Sequence, residues 1–167
     1  SNDNTQVYIH GRGIHAAKLA IDGITILGVE SFSVNPNQYH ISLADVETNT
    51  IFDGLADVIF ICSKAGDVAE LLTLAKQLSH SSTNICVLSN GLGHLESAVE
   101  EFGPHRVIPA TTTHGAWRKE PGIIQWAGNG AVNIGRTTVS PTRKQLSELF
   151  DIIAVSYTHL TLPTTTI

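Results

Sequence analysis

Two short runs, DVIFICS (Asp57 to Ser63) and NICVLS (Asn84 to Ser89), are almost continuously apolar. A strand with one wet face alternates apolar and polar residues, whereas a strand covered on both faces does not. Between the runs, Val68, Leu71, Leu72, Ala75 and Leu78 fall on one helical face, behind a capping pattern from Asp67 to Glu70. A strand, an amphipathic helix and a second buried strand make a parallel pair with a crossover connection. The pattern then repeats. Leu95, Ala98, Val99 and Phe102 mark another helix face, and RVIPATTT follows as a strand. The chain is therefore predicted to be α/β, built on an open, mostly parallel sheet.

The flanking segments extend this alternation. QVYIH (Gln6 to His10) reads as a strand ended by Gly11, Arg12 and Gly13. Ile14, Ala17 and Ile21 recur at helical spacing, and Gly23 ends that helix. ITILGVE reads as a strand, residues 31–56 as polar and irregular with a weak strand signal at Tyr39 to Leu43, and GIIQWAG and AVNIG as two late strands. Ser140 and Pro141 form a helix start, followed by a face of Leu146, Leu149, Phe150 and Ile153.

Composition removes several classes of function. The formal net charge is -5 and only 15% of residues are charged, which lacks the basic footprint of a nucleic-acid binder. No apolar run approaches the roughly 20 residues of a membrane-spanning helix, and Ser1 to Gln6 carries no signal-peptide pattern. Both cysteines, Cys62 and Cys86, sit in apolar runs and are expected to be buried thiols, as suits a reducing cytoplasm. The eight histidines show no metal-ligand spacing, so no metal site is expected. There is no methionine and the chain opens at Ser1, so it is read as a piece of a longer protein.

Ligands of open α/β sheets collect beyond the carboxyl ends of the strands. Four short segments fall there: Gly11 to Gly13, Ser63 to Ala65, Asn90 to Gly93, and Thr111 to Ala116. Lys64 places a cation directly after a buried strand, where it can meet a phosphate or a ribose hydroxyl; an ordinary surface lysine is the bland alternative. Asn90 both donates and accepts hydrogen bonds, and Gly91 and Gly93 beside it let a ligand approach the main chain; Asn-Gly is also a common turn. Arg12 stands where dinucleotide-binding folds choose their cofactor, an acidic residue taking a ribose 2'-hydroxyl and an arginine a 2'-phosphate. No acidic residue occurs between Thr5 and Ile21, although a solvated arginine fits the position equally well. His114 reads as a structural histidine bonded to the backbone. The glycine fingerprint of nucleotide folds is absent, as are a nucleophile elbow and a Walker loop.

With these segments in view, the chain resembles the ketopantoate reductase (2-dehydropantoate 2-reductase) family. VYIHGRGIHAAKLAIDGITI is similar to the family's second strand, its arginine and the helix after it. DVIFICSKAGD is similar to the strand ending in the cofactor lysine, and VLSNGLGHLE to the Asn-Gly-Xaa-Gly segment. RVIPATTTHGAWRKEPGIIQWAGNGAVNIG is similar to the segment that closes the nucleotide domain, and is the most specific of the four. Together they span Gln6 to Arg136.

The resemblance implies a Rossmann-like sheet lacking its first strand and helix, with the helical second domain absent. Residues 1–139 would form a partial NADP-binding domain and residues 140–154 the first helix toward the missing domain. Arg12 would hold the NADPH 2'-phosphate and Lys64 the nicotinamide-side ribose or phosphate. Asn90 would touch both the cofactor ribose and the keto acid, and Ala116 would meet the cofactor through its main chain. The family reduces 2-dehydropantoate to pantoate for pantothenate and coenzyme A synthesis. No residue here is assigned as the proton donor, so the chain as written is expected to be inactive. A non-catalytic NADP-sensing module, or a related keto-acid or opine dehydrogenase with another substrate domain, would share the same crevice. Residues 155–167 resemble a translated transposase sequencing adapter and are expected to be a non-native tail.

Overall fold

The computed structural model describes residues 5–44, 55–63, 67–88, 93–135 and Ser147. The chain divides into two compact units, Ser1–Leu55 with Thr112–Val132, and Ala56–Thr111 with the residues from Asn133 onward. Of the helix expected from Ser140 only Ser147 is described, and it is helical; the expected tail at 155–167 lies outside the described residues.

The second unit carries the βαβ alternation. Strand β5 (Ala56–Ile61), helix α2 (Val68–Gln77), strand β6 (Ser79–Leu88), helix α3 (His94–Phe102) and strand β7 (Val107–Thr112) follow one another, and β10 (Val132–Ile134) completes the sheet. The strand order is β10-β7-β6-β5, with β5 parallel to β6 and β6 parallel to β7. Alternate residues of β6 feed opposite faces. Ile85 and Val87 pack with Leu72, Ala98 and Phe102 beneath the two helices, while Cys86 packs with Ile108 and Ala110 on the reverse face. This two-sided burial explains the uninterrupted apolar run of β6. β5 departs from the expectation of cover on both faces. Among the described residues it stands at the edge of the sheet with one partner, β6, and Phe60 is 38% exposed. The expected burial of both thiols holds only for Cys86, because Cys62 follows the end of β5 and is exposed; neither forms a disulfide.

The first unit holds two sheets. Strand β1 (Tyr8–Gly11) pairs in parallel with β4 (His40–Leu43), and helix α1 (Gly13–Asp22) packs on both through a face that buries Ala16 and Leu19. Gly23 ends α1 at φ 83°, as its position in the sequence predicted. The other sheet has the order β3-β2-β9-β8, formed by β2 (Ile24–Gly28), β3 (Phe32–Val34), β8 (Gly115–Glu120) and β9 (Ile123–Gly128). β2 lies parallel to β9 and antiparallel to β3, and β8 and β9 form an antiparallel hairpin. A short 3-10 turn, Pro36–Gln38, leads into Tyr39, whose hydroxyl donates to the Leu19 carbonyl. The segment read as irregular thus contains β3 and the turn, and its weak strand signal at Tyr39 to Leu43 falls on β4. The architecture is α/β and Rossmann-like with mixed strand directions, distributed over three sheets among the described residues.

Candidate functional site

Arg12 is the N-cap residue of α1, in extended backbone at φ -132° and ψ 161°, and it is exposed. It enters the helix directly from the last residue of β1. Gly11 makes that tight junction possible, since a Cβ there would stand 3.0 Å from the Ala16 Cβ. The first turn of α1 carries no acidic residue. A guanidinium at the positive end of a ten-residue helix is an arrangement suited to a phosphate.

Ala116 belongs to the same unit as Arg12, but it lies inside β8 rather than in a loop. The threonine run is divided: Thr111 and Thr112 finish β7, Thr113 and His114 form a two-residue link, and β8 begins at Gly115. The pairing of β8 with β9 shifts register between Gly115 and Ala116, and such an irregularity re-aims the main chain. His114 has the structural role read from the sequence. Its Nδ1 accepts the Gly130 N–H at 3.3 Å, its own N–H donates to Thr112 Oγ1 at 3.2 Å, and its ring stands 5.9 Å from that of Trp126.

Lys64 and Asn90 lie outside the described residues. Their neighbours Ser63 and Gly93 flank the carboxyl ends of β5 and β6 in the second unit. Two buried polar atoms in these flanks, Ser63 Oγ and His94 Nε2, have no hydrogen-bond partner among the described residues, and His94 is only 7% exposed. A desolvated polar atom left unpaired costs about 1–3 kcal/mol. Within the second unit, polar atoms of this kind suit a ligand that carries hydrogen-bonding groups. Sequence reasoning passed over His94, whose side chain is unremarkable in a pattern that drew attention to Asn90. It also passed over His15. The His15 Nδ1 accepts the Gly122 N–H at 3.0 Å, and its pKa lies below the usual 6.5 because of burial and then the Arg118 charge.

No helix among the described residues is long and apolar enough to cross a membrane. The sequence profile described as ketopantoate reductase PanE/ApbA matches residues 1–138. A 2-dehydropantoate 2-reductase of Pyrococcus horikoshii is 30% identical over 135 residues, covering 81% of this chain and 41% of that protein. The chain thus spans about two-fifths of the length of the curated relatives it matches. Among solved structures, 2-dehydropantoate 2-reductase from Geobacter metallireducens superposes with a TM-score of 0.69 at 22% identity, covering 89% of this chain and 54% of that one. D-mandelate dehydrogenase with NADH and anilino(oxo)acetate gives 0.71 at 22% identity, covering 92% and 47%. At such identities the likeness is one of fold.

Proposed function

The chain belongs to the ketopantoate reductase PanE/ApbA family, and from that premise we propose that it supplies the cofactor-binding part of an NADPH-dependent reductase converting 2-dehydropantoate to pantoate. That reaction serves pantothenate and coenzyme A synthesis, in the reducing cytoplasm with which two free cysteines agree. Arg12 holds the 2'-phosphate. Lys64 bonds the ribose or phosphate on the nicotinamide side. Asn90 reaches both the cofactor ribose and the keto acid, and the Ala116 main chain completes the cofactor contacts. NADPH supplies the hydride for the substrate carbonyl, and the protein supplies binding and orientation. A proton must also reach the carbonyl oxygen, and none of these four residues is assigned to deliver it.

The observation that carries this reading is the setting of Arg12: exposed, at the N-cap of α1, with no carboxylate in the first helical turn. A carboxylate there would select a 2'-hydroxyl and repel a 2'-phosphate. The test is a fluorescence titration with NADPH and NADH on the native chain and on Arg12→Ala. A charge-assisted contact of about 1.5–3 kcal/mol corresponds to a preference of roughly 10- to 150-fold for NADPH. Arg12→Ala should bring the two affinities close together. Equal affinities in the native chain, or an unchanged preference in the variant, would refute the reading. The likeness in fold to D-mandelate dehydrogenase supports a second reading, reduction of a different 2-keto acid. A panel of keto acids assayed with the full-length protein separates the two.

A further inference from the structure

We propose that His15 is a positioning residue: its imidazole fastens the turn between β8 and β9 to helix α1, and so fixes the strand carrying Ala116 relative to the helix capped by Arg12. The consequence for the cofactor rests on the function proposed above, whereas the tether itself does not.

The turn is gripped through one residue, Gly122, which follows Pro121 at φ +82°. Its N–H donates to His15 Nδ1 at 3.0 Å, and its carbonyl accepts the Thr25 N–H at 3.0 Å. An ideal Cβ on Gly122 would stand 3.4 Å from the Lys18 Cβ, so the turn also abuts the helix surface one turn on from His15. The positive φ of this main-chain conformation calls for glycine. The segment α1–β2 therefore holds the hairpin by a hydrogen bond from each side and by packing between them.

This grip requires one state of the ring. Nδ1 accepts a hydrogen bond only when it carries no proton, which places the proton of the neutral imidazole on Nε2. Protonation turns the acceptor into a donor facing another donor, and the Gly122 N–H loses its partner. The surroundings favour the neutral ring: partial burial disfavours the charged form, and Arg118 on β8 opposes it further. On its own helix, Lys18 is paired with Asp22 at 2.8 Å. Of the groups on elements packed against α1, His10 bonds Ser42, His40 stacks on Tyr8, and the Tyr39 hydroxyl bonds the Leu19 carbonyl.

The experiment follows the His15 ring nitrogens and the Gly122 amide by NMR in the full chain from pH 8 to pH 5, with NADP⁺ affinity measured in parallel. His15→Asn offers an oxygen near the position of Nδ1 and cannot titrate, while His15→Phe keeps the ring shape without an acceptor. The native ring should show an unprotonated Nδ1 at pH 8, and the Gly122 amide should shift as the ring titrates. His15→Asn should hold the amide shift steady across the range, and His15→Phe should lose it throughout. Protonation of the 2'-phosphate, below about pH 6, weakens binding alike in every variant. The native chain should therefore lose several-fold more NADP⁺ affinity on acidification than His15→Asn, and His15→Phe should bind weakly at both extremes. An Nδ1-protonated ring at pH 8, or a Gly122 amide indifferent to His15→Phe, overturns the tether. Absence of NADP⁺ binding in every variant counts against the cofactor reading, and the ring and amide shifts then decide the tether alone.

Discussion

The hydroxyl oxygen of Thr113 accepts the Ala131 N–H at 2.8 Å, while the Thr113 N–H donates to the Ala131 carbonyl at 2.9 Å. With the Gly130 N–H bonded to His114, this double contact ties the link between β7 and β8 to the segment after β9. Thr113→Val keeps the β-branched shape and both main-chain groups but removes the side-chain acceptor. A typical intramolecular hydrogen bond contributes about 0.5–1.5 kcal/mol, so a loss of that size is expected in urea unfolding. An unchanged unfolding midpoint would show that the hydroxyl is dispensable.

The core of the second unit predicts a sharp contrast between two isoleucines. Ile85 is 0% exposed and lies among Leu72, Ala98 and Val107, whereas Ile21 on α1 is 71% exposed. Ile85→Ala removes buried methyl groups and leaves a cavity, costing about 2–5 kcal/mol. Ile21→Ala should change stability by no more than about 0.5 kcal/mol, since a surface site away from special contacts is tolerant. Urea titrations of both variants check this, and comparable losses would contradict the burial pattern.

Sequence reasoning reached the elements whose partners are solvent or core, and stopped where partners are distant. β6 and β7 were legible because burial on two faces leaves little room for polar residues. β8 was not. All six residues of GAWRKE are exposed, and only pairing with β9 makes them a strand. β6 also begins at Ser79, within the polar stretch SHSST, where Thr83 is buried and its hydroxyl donates to the Ala56 carbonyl at 2.6 Å. A buried threonine with a partner 27 residues away gives no local sign. In the candidate site, Arg12 stood out because its glycine neighbours and the lack of acidic residues are local features. The contact of His15 with Gly122 spans 107 residues, so no window of sequence contains it.

The two cysteines should differ in reactivity. Cys86 is 1% exposed, and burial followed by the neighbouring Cys62 pushes its thiol up to about 12. Cys62 is solvent-accessible, although partial desolvation raises its thiol too. The thiolate is the reacting form, so alkylation depends on both ionisation and access. Iodoacetamide at pH 8 should modify Cys62 slowly in the folded chain and leave Cys86 intact until denaturant is added. Peptide mass spectrometry reads the sites directly. Equal labelling of both cysteines in the folded chain would contradict the placement of Cys86 in the core.

The pH dependence of stability follows from the His15 ring, with a definite sign. Its folded pKa is depressed below 6.5 by burial and then by Arg118, so the unfolded chain binds this proton first on acidification. Stability rises with pH wherever the unfolded state holds more protons. The contribution of His15 is therefore fully present above about 6.5, the value expected of an unperturbed histidine. It is lost as pH falls through the depressed folded value, and it is constant below that. Other groups titrate in the same range, so the quantity to measure is the difference in unfolding free energy between the native chain and His15→Asn. That difference should be flat from pH 8 down to the neighbourhood of 6.5 and then move against the native chain, since the asparagine keeps an acceptor for Gly122 and binds no proton. A difference that stays constant down to pH 5, or that moves in favour of the native chain, would mean that His15 is no less easily protonated in the folded protein than in the unfolded chain.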